Sequence, residues 1–251
     1  MSNRGKILCV FGVKGGIGKS ILSMNIAGVA SNKNIKTLII DMDIYGGSIA
    51  VSLNRDINKT IYNFVDDYNN NRYKDLKDYI NNYNDNIDYI ASPKDPRQSN
   101  KIDSNYLELL IDKAKFNYDL IIIDTNHILN EINLSILDKS DEILLVLSNN
   151  LFDIKNMKNL ISIFRDLDKS NYRLLLNESI DQNSGYFNMY DIKDIIKANI
   201  DYVLSDKFYI KDIDNYIMNG NIVTLNNKLI NSKDYKVLDN IVLDITEDNH
   251  E

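Results

Sequence analysis

Short, unbroken apolar runs alternate with longer amphipathic stretches along this chain. Residues 6–12 (KILCVFG), 36–41 (KTLIID), 87–91 (IDYIA), 118–124 (YDLIIID), 142–147 (EILLVL) and 172–177 (YRLLLN) each read as a buried strand. Between them, residues 20–30, 107–115 and 153–167 carry helical patterns. Strands that are apolar on both faces, separated by helices, predict a doubly wound α/β fold: a mostly parallel sheet with helices on both faces. Each crossover is expected to be right-handed. Ligands of such sheets sit beyond the carboxyl ends of the strands.

One stretch is less regular. Residues 66–88 are dense in Asn, Asp and Tyr, and the spacing of Tyr68, Tyr73, Tyr79 and Tyr83 predicts packed helical excursions. The final ITEDNHE is acidic and reads as frayed. With no Gly-, Pro- or Ser-rich linker and no internal repeat, a single domain over residues 1–251 is expected.

Composition narrows the class. At 44% hydrophobic and 26% charged, the chain reads as globular and soluble. The net charge of −7 makes nucleic acid an unexpected partner, because phosphate neutralisation supplies most non-specific affinity. The single cysteine, Cys9, lies inside an apolar run and reads as a buried core residue of a reduced compartment. The first residues are interrupted too soon for a signal peptide, and no run approaches the roughly 20 apolar residues of a membrane span. A cytoplasmic location is expected.

The candidate chemistry begins at G-V-K-G-G-I-G-K-S, residues 12–20, which follow a strand and open a helix. That is the context of a phosphate loop. Gly15, Gly16 and Gly18 permit close backbone approach and unusual φ values. Their N–H groups, with those of Ile17, Lys19, Ser20 and Ile21, then converge on an anion at a helix N-terminus. Lys19 supplies a point charge for the β- and γ-phosphates, and Ser20 a hydroxyl ligand for Mg²⁺. The strict pattern needs Gly at position 13; this chain has Val13 there and a second lysine, Lys14. By spacing alone Lys14 is equally a solvated loop residue.

K-G-G-x-x-K-S resembles the deviant phosphate loop of the MinD/ParA superfamily. The resemblance implies that Lys14 reaches across a dimer interface to the other subunit's nucleotide. It continues at Asp41-Met-Asp43, where the family carries D-x-D: it implies that Asp43 orients or activates the attacking water and that Asp41 assists around Mg²⁺. As bare residues, the two aspartates would also suit a turn after a strand. YDLIIID resembles a Walker B strand, so Asp124 is implied as a holder of the Mg²⁺ shell. The family continues with proline; this chain reads Asp124-Thr-Asn-His127. His127 is read as a polar loop residue, with proton transfer as its alternative. Asn177 resembles the family's adenine-contacting asparagine, with Glu178 in place of the usual arginine. Asn25 matches a family position that capping or packing explains equally well.

Within the superfamily the chain looks most like the TadZ/CpaE branch. Residues 41–54, 141–164 and 200–225 are similar to that branch, although its receiver domain is not expected here. The acidic C-terminal stretch speaks against a MinD-like membrane helix, and one cysteine against an iron–sulfur cluster. The implied protein is a slowly hydrolysing ATPase, dimeric with ATP and Mg²⁺. It would position a protein partner such as pilus or secretion machinery and be recruited through it to a pole or membrane assembly. The alternatives are an ATP-binding module without hydrolysis, a ParA-like partition ATPase, and an ATP-dependent metabolic enzyme of the same fold.

Overall fold

A computed structural model describes residues 4–180, 187–208 and 213–247. Its strands are β1 (Lys6–Phe11), β2 (Thr37–Met42), β3 (Asn81–Asn82), β4 (Ile87–Ile90), β5 (Leu120–Thr125), β6 (Glu142–Leu147), β7 (Tyr172–Asn177) and β8 (Tyr202–Leu204). They form one sheet in the order β3-β4-β2-β5-β1-β6-β7-β8. Every pairing is parallel except β3 with β4.

The apolar runs are continuous because both faces are covered. In β1, Ile7, Cys9 and Phe11 enter one core cluster, while Leu8 and Val10 enter the other. On the first face lie α3 (Ile61–Asn69), α4 (Ser104–Ala114), α5 (Glu131–Lys139), α6 (Leu151–Asp166) and α7 (Met189–Ile196). On the second lie α1 (Lys19–Asn32), the short α2 (Ile49–Ser52) and α9 (Lys233–Thr246); α8 (Ile213–Met218) contacts α2. Cys9 is fully buried, and burial pushes its thiol well above the usual range.

β1 and β6 are neighbours, yet α1 and α6, which follow them, pack on opposite faces. That divergence is a topological switch point, where the backbone opens a crevice beyond the strands.

Several boundaries move for local reasons. α4 starts earlier than expected because the Asp103 carboxylate accepts the N–H groups of Asn105 (2.9 Å) and Tyr106 (3.3 Å). α6 starts at Leu151 because the Asn150 amide oxygen accepts the Phe152 N–H at 3.1 Å. The Tyr-rich stretch is only partly helical. It supplies the end of α3, a 3-10 turn (Leu76–Tyr79) and β3, with Tyr68, Tyr73 and Tyr79 all within 6.0 Å of the Phe64 ring centroid. Tyr83 leaves that group; its hydroxyl accepts the Ile222 N–H at 3.2 Å. The expected fraying of ITEDNHE does not begin at its first residue: Ile245 is buried in α9, and residues 248–251 lie outside the described residues.

Candidate phosphate-binding site

β1 delivers residues 12–18 into the crevice. Gly16 and Gly18 adopt φ values of +74° and +85°, the left-handed region open to glycine. Gly12 is needed for another reason: a Cβ there would lie 2.8 Å from the Val146 carbonyl oxygen and 2.4 Å from Ile17 Cδ1. The first turn of α1 therefore opens directly onto the loop, with its unpaired N–H groups facing outward. Gly15 and Gly16 are exposed; Ile17 is buried and holds the loop down.

Lys19 is buried, and its ammonium donates to the Lys14 carbonyl at 3.2 Å. Burial pulls its pKa down, opposed by Asp124, Asp43 and Asp153. The Lys14 side chain is half-buried at the loop's start. Ser20 accepts a hydrogen bond from the Ser48 hydroxyl at 2.6 Å, and Ile21 follows half-buried.

The carboxylates come from adjacent strands. Asp41 and Asp124 are register partners on β2 and β5, and both are fully buried. Their roles separate. Asp41 accepts the Asp43 N–H and the Ile49 N–H, each at 3.1 Å, one on each oxygen. It thus shapes the loop between β2 and α2. Asp124 accepts the Ser23 hydroxyl at 3.0 Å on one oxygen; its other oxygen is buried and, among the described residues, accepts no hydrogen bond, although the Ser20 hydroxyl lies close to the carboxylate. Asp43 is half-buried, and its carboxylate accepts the Gly46 N–H at 3.3 Å.

An orphaned buried carboxylate oxygen is costly unless something binds it. The donor set around it is all oxygen (Asp124, Ser20 and, one strand away, Asp41), which suits a hard cation such as Mg²⁺. The residues therefore fit the cation that the sequence implies.

Burial pushes Asp124 up to about 6, against the pull of the Ser20 and Ser23 hydroxyls and of Lys19. Without metal, the folded protein therefore binds this proton more tightly than the unfolded chain does. Stability falls as pH rises from about 4 through about 6, and the penalty persists above that. Asp124→Asn should raise the melting temperature of the metal-free protein at pH 7, at about 2–4 °C per kcal/mol. The gain should shrink toward pH 4. Thermal scans at both pH values check this; no gain at pH 7 would mean that Asp124 is solvated or paired.

Asn177 lies at the end of β7 and is buried. Its amide donates to the Ile17 carbonyl at 3.0 Å, while its oxygen accepts the Ser179 hydroxyl at 2.6 Å. In this state the side chain braces the phosphate loop. Asn25 has a packing role: its oxygen accepts the Thr224 N–H at 3.1 Å, fastening the segment before α9 onto α1.

Sequence reasoning passed over Ser23, Ser48 and Asp153. Ser23 stands one helical turn after Ser20 and so faces the same carboxylate, a signal that was available. Asp153 is fully buried in the first turn of α6; one oxygen accepts both the N–H and the hydroxyl of Ser148, at 2.6 and 2.8 Å. Among the described residues its other oxygen accepts no hydrogen bond. Burial raises its pKa, and the fields of Lys14 and Lys19 oppose that.

The family described as AAA domain (AAA_31) matches residues 5–181, well over half of the chain. The chain belongs to this family. Two solved structures share the fold of this AAA-domain chain almost end to end. One is a ParA family ATPase from Chlorobium tepidum, with a TM-score of 0.80 at 20% identity, covering 96% of this chain and 99% of that one. The other is the septum site-determining protein MinD of Pyrococcus horikoshii, complexed with Mg-ADP. It has a TM-score of 0.78 at 19% identity, covering 97% of this chain and 96% of that one. The fold is thus the MinD/ParA P-loop fold. An ATP-binding protein of Methanocaldococcus jannaschii is 30% identical over 119 residues, 45% of this chain. The match spans 41% of that relative's length.

Proposed function

We propose that this chain is a slow, Mg²⁺-dependent ATPase whose ATP-bound form is a dimer that positions a protein assembly. The observation that carries the reading is the unpartnered Asp124 oxygen beside Ser20 and Lys19, at the switch point where the phosphate loop leaves β1. The nucleotides named for the MinD and Methanocaldococcus relatives agree with it.

Each residue then has a task. Backbone N–H groups of residues 15–21 cradle the phosphates, and Lys19 leaves the Lys14 carbonyl to meet the β- and γ-oxygens. Ser20 and Asp124 would hold Mg²⁺, which when bound supplies charge neutralisation at the bridging oxygens. Asp41 fixes the loop that carries Asp43, and Asp43 orients the attacking water. Asn177 would meet the base through its remaining N–H. Loss of the γ-phosphate removes the contacts that order these loops, which releases the dimer.

The dimer reading has its own support. Tyr45, Ile128, Leu129, Leu151 and Phe152 are all exposed, Phe152 by 75%. They follow β2, β5 and β6 at their carboxyl ends, the same end of the sheet from which the phosphate loop leaves β1. A second copy closing over that end would cover them and bring each subunit's Lys14 to the other's phosphates. With a non-hydrolysable ATP analogue and Mg²⁺, light scattering should show the mass doubling. Lys14→Ala should weaken that association at least about tenfold, the loss of one charge-assisted contact. A monomer at every nucleotide concentration would remove the cross-subunit role.

The branch reading, TadZ/CpaE-like positioning of pilus or secretion machinery, is supported by the segments at residues 41–54, 141–164 and 200–225; of the last, 209–212 lie outside the described residues. Phosphate release by wild type separates the ATPase from a binding module: release at background level, with ATP bound, would establish the latter.

A further inference from the structure

The stretch after Asp124 contains no proline, yet it is braced. The Thr125 hydroxyl donates to the Val10 carbonyl at 2.7 Å, tying the end of β5 to β1. Asn126 and Asn133 are both buried. The Asn126 amide oxygen accepts the Ile128 N–H at 2.9 Å and the Asn133 amide at 2.8 Å, and the same Asn133 amide donates to the Ile128 carbonyl at 2.6 Å. Two amides, one in the loop and one on α5, thus fix residues 126–128 in a single shape.

His127 stands at the apex of that shape, exposed. Its ring edge lies against the phosphate loop: a Cβ built on Gly15 would sit 3.6 Å from His127 Nδ1 and 3.7 Å from Cε1. The ring follows Asp124 by three residues and borders the loop at Gly15. An imidazole offers an N–H donor in either tautomer. The charged groups around the crevice are Lys14 and Lys19 on the loop and α1, Asp41 and Asp43 on β2 and the loop after it, Asp124 on β5, and Asp153 on α6.

We propose that His127 is a terminal-phosphate ligand that lets this site distinguish a nucleoside triphosphate from a diphosphate. The proposal deepens the nucleotide reading above and rests on it. The amide brace fixes the backbone that carries His127, so the exposed ring is presented beside the loop from a set position. A diphosphate ends short of it.

The test is a titration of full-length wild type, His127→Ala and His127→Gln with Mg²⁺-ADP and with a non-hydrolysable Mg²⁺-ATP analogue, alongside melting temperatures. Wild type should prefer the analogue. His127→Ala should weaken analogue binding about tenfold, the value of one charge-assisted contact, and leave ADP within about twofold. His127→Gln, which keeps an N–H donor, should retain part of the preference. Melting temperatures should stay level, because the ring is exposed. An unchanged preference in His127→Ala, or equal loss for both nucleotides, overturns the role of His127 while nucleotide binding stands. Failure of wild type to bind either nucleotide overturns both.

Discussion

Lys19→Ala should abolish nucleotide binding while the protein stays folded. Lys19 is a buried cation in the crevice, 8% exposed, and among the described residues its ammonium hydrogen-bonds only the Lys14 carbonyl, at 3.2 Å. Burial works against its charge, and Asp124, Asp43 and Asp153 sustain it. Such an ammonium is a poor structural element, since one weak bond to a carbonyl does little to offset its desolvation. It would make a good phosphate ligand, because two phosphate oxygens would replace that single contact on an ammonium that is already buried. Two charge-assisted bonds at about 1.5 kcal/mol or more each put the loss at about 100-fold or greater. Titration with a fluorescent ATP analogue measures it, and circular dichroism confirms the fold. Lys19→Arg is the informative control: it keeps the charge but brings a wider, planar head to a space bounded by the Lys14 backbone. Wild-type affinity in Lys19→Ala would remove the phosphate loop as the binding site.

How much of this was legible in the sequence follows from where each contact lies. β1, β2, β5, β6 and β7 announced themselves because burial on both faces demands an unbroken apolar run. The loop was legible because close phosphate approach leaves few choices of residue: glycine at 16 and 18, lysine at 19, a hydroxyl at 20. The region between β2 and β4 was not, because its tyrosines pack by tertiary position around Phe64 rather than by any one period. Tyr83 shows the limit: it follows Tyr79 by four residues but packs on the opposite sheet face. The supporting polar residues were also hidden. Asp153 sits at a helix start where aspartate is common for capping, and only its burial and its partnerless oxygen set it apart. The missing proline after Asp124 read as a loss; the Asn126–Asn133 pair that compensates for it spans seven residues and matches no short motif.

Asp43→Ala should leave ATP affinity within about twofold of wild type and cut phosphate release by about 100-fold or more, the usual weight of a positioned proton-transfer group. The comparison that gives this meaning is Asp41→Ala, two residues away. Asp41 is fully buried, and each of its oxygens holds one backbone N–H, those of Asp43 and Ile49. Removing it leaves two buried donors unpaired, at about 1–3 kcal/mol each, and unpins the loop that presents Asp43. Asp41→Ala should therefore lower the melting temperature, with nucleotide binding and turnover falling as the loop loosens. Asp43 carries no such load: its carboxylate is half-buried and accepts one long bond, from the Gly46 N–H at 3.3 Å. A side chain held that lightly is free to turn toward a water, and its removal exposes no buried donor. On the proposed function, the two aspartates of one D-x-D motif would divide into a scaffold and a reagent. The readout that separates them is phosphate release at saturating ATP, paired with a melting curve. Asp43→Ala with wild-type turnover would pass the water-orienting role to another group. Asp43→Ala with the melting loss assigned to Asp41 would show that both residues are scaffold.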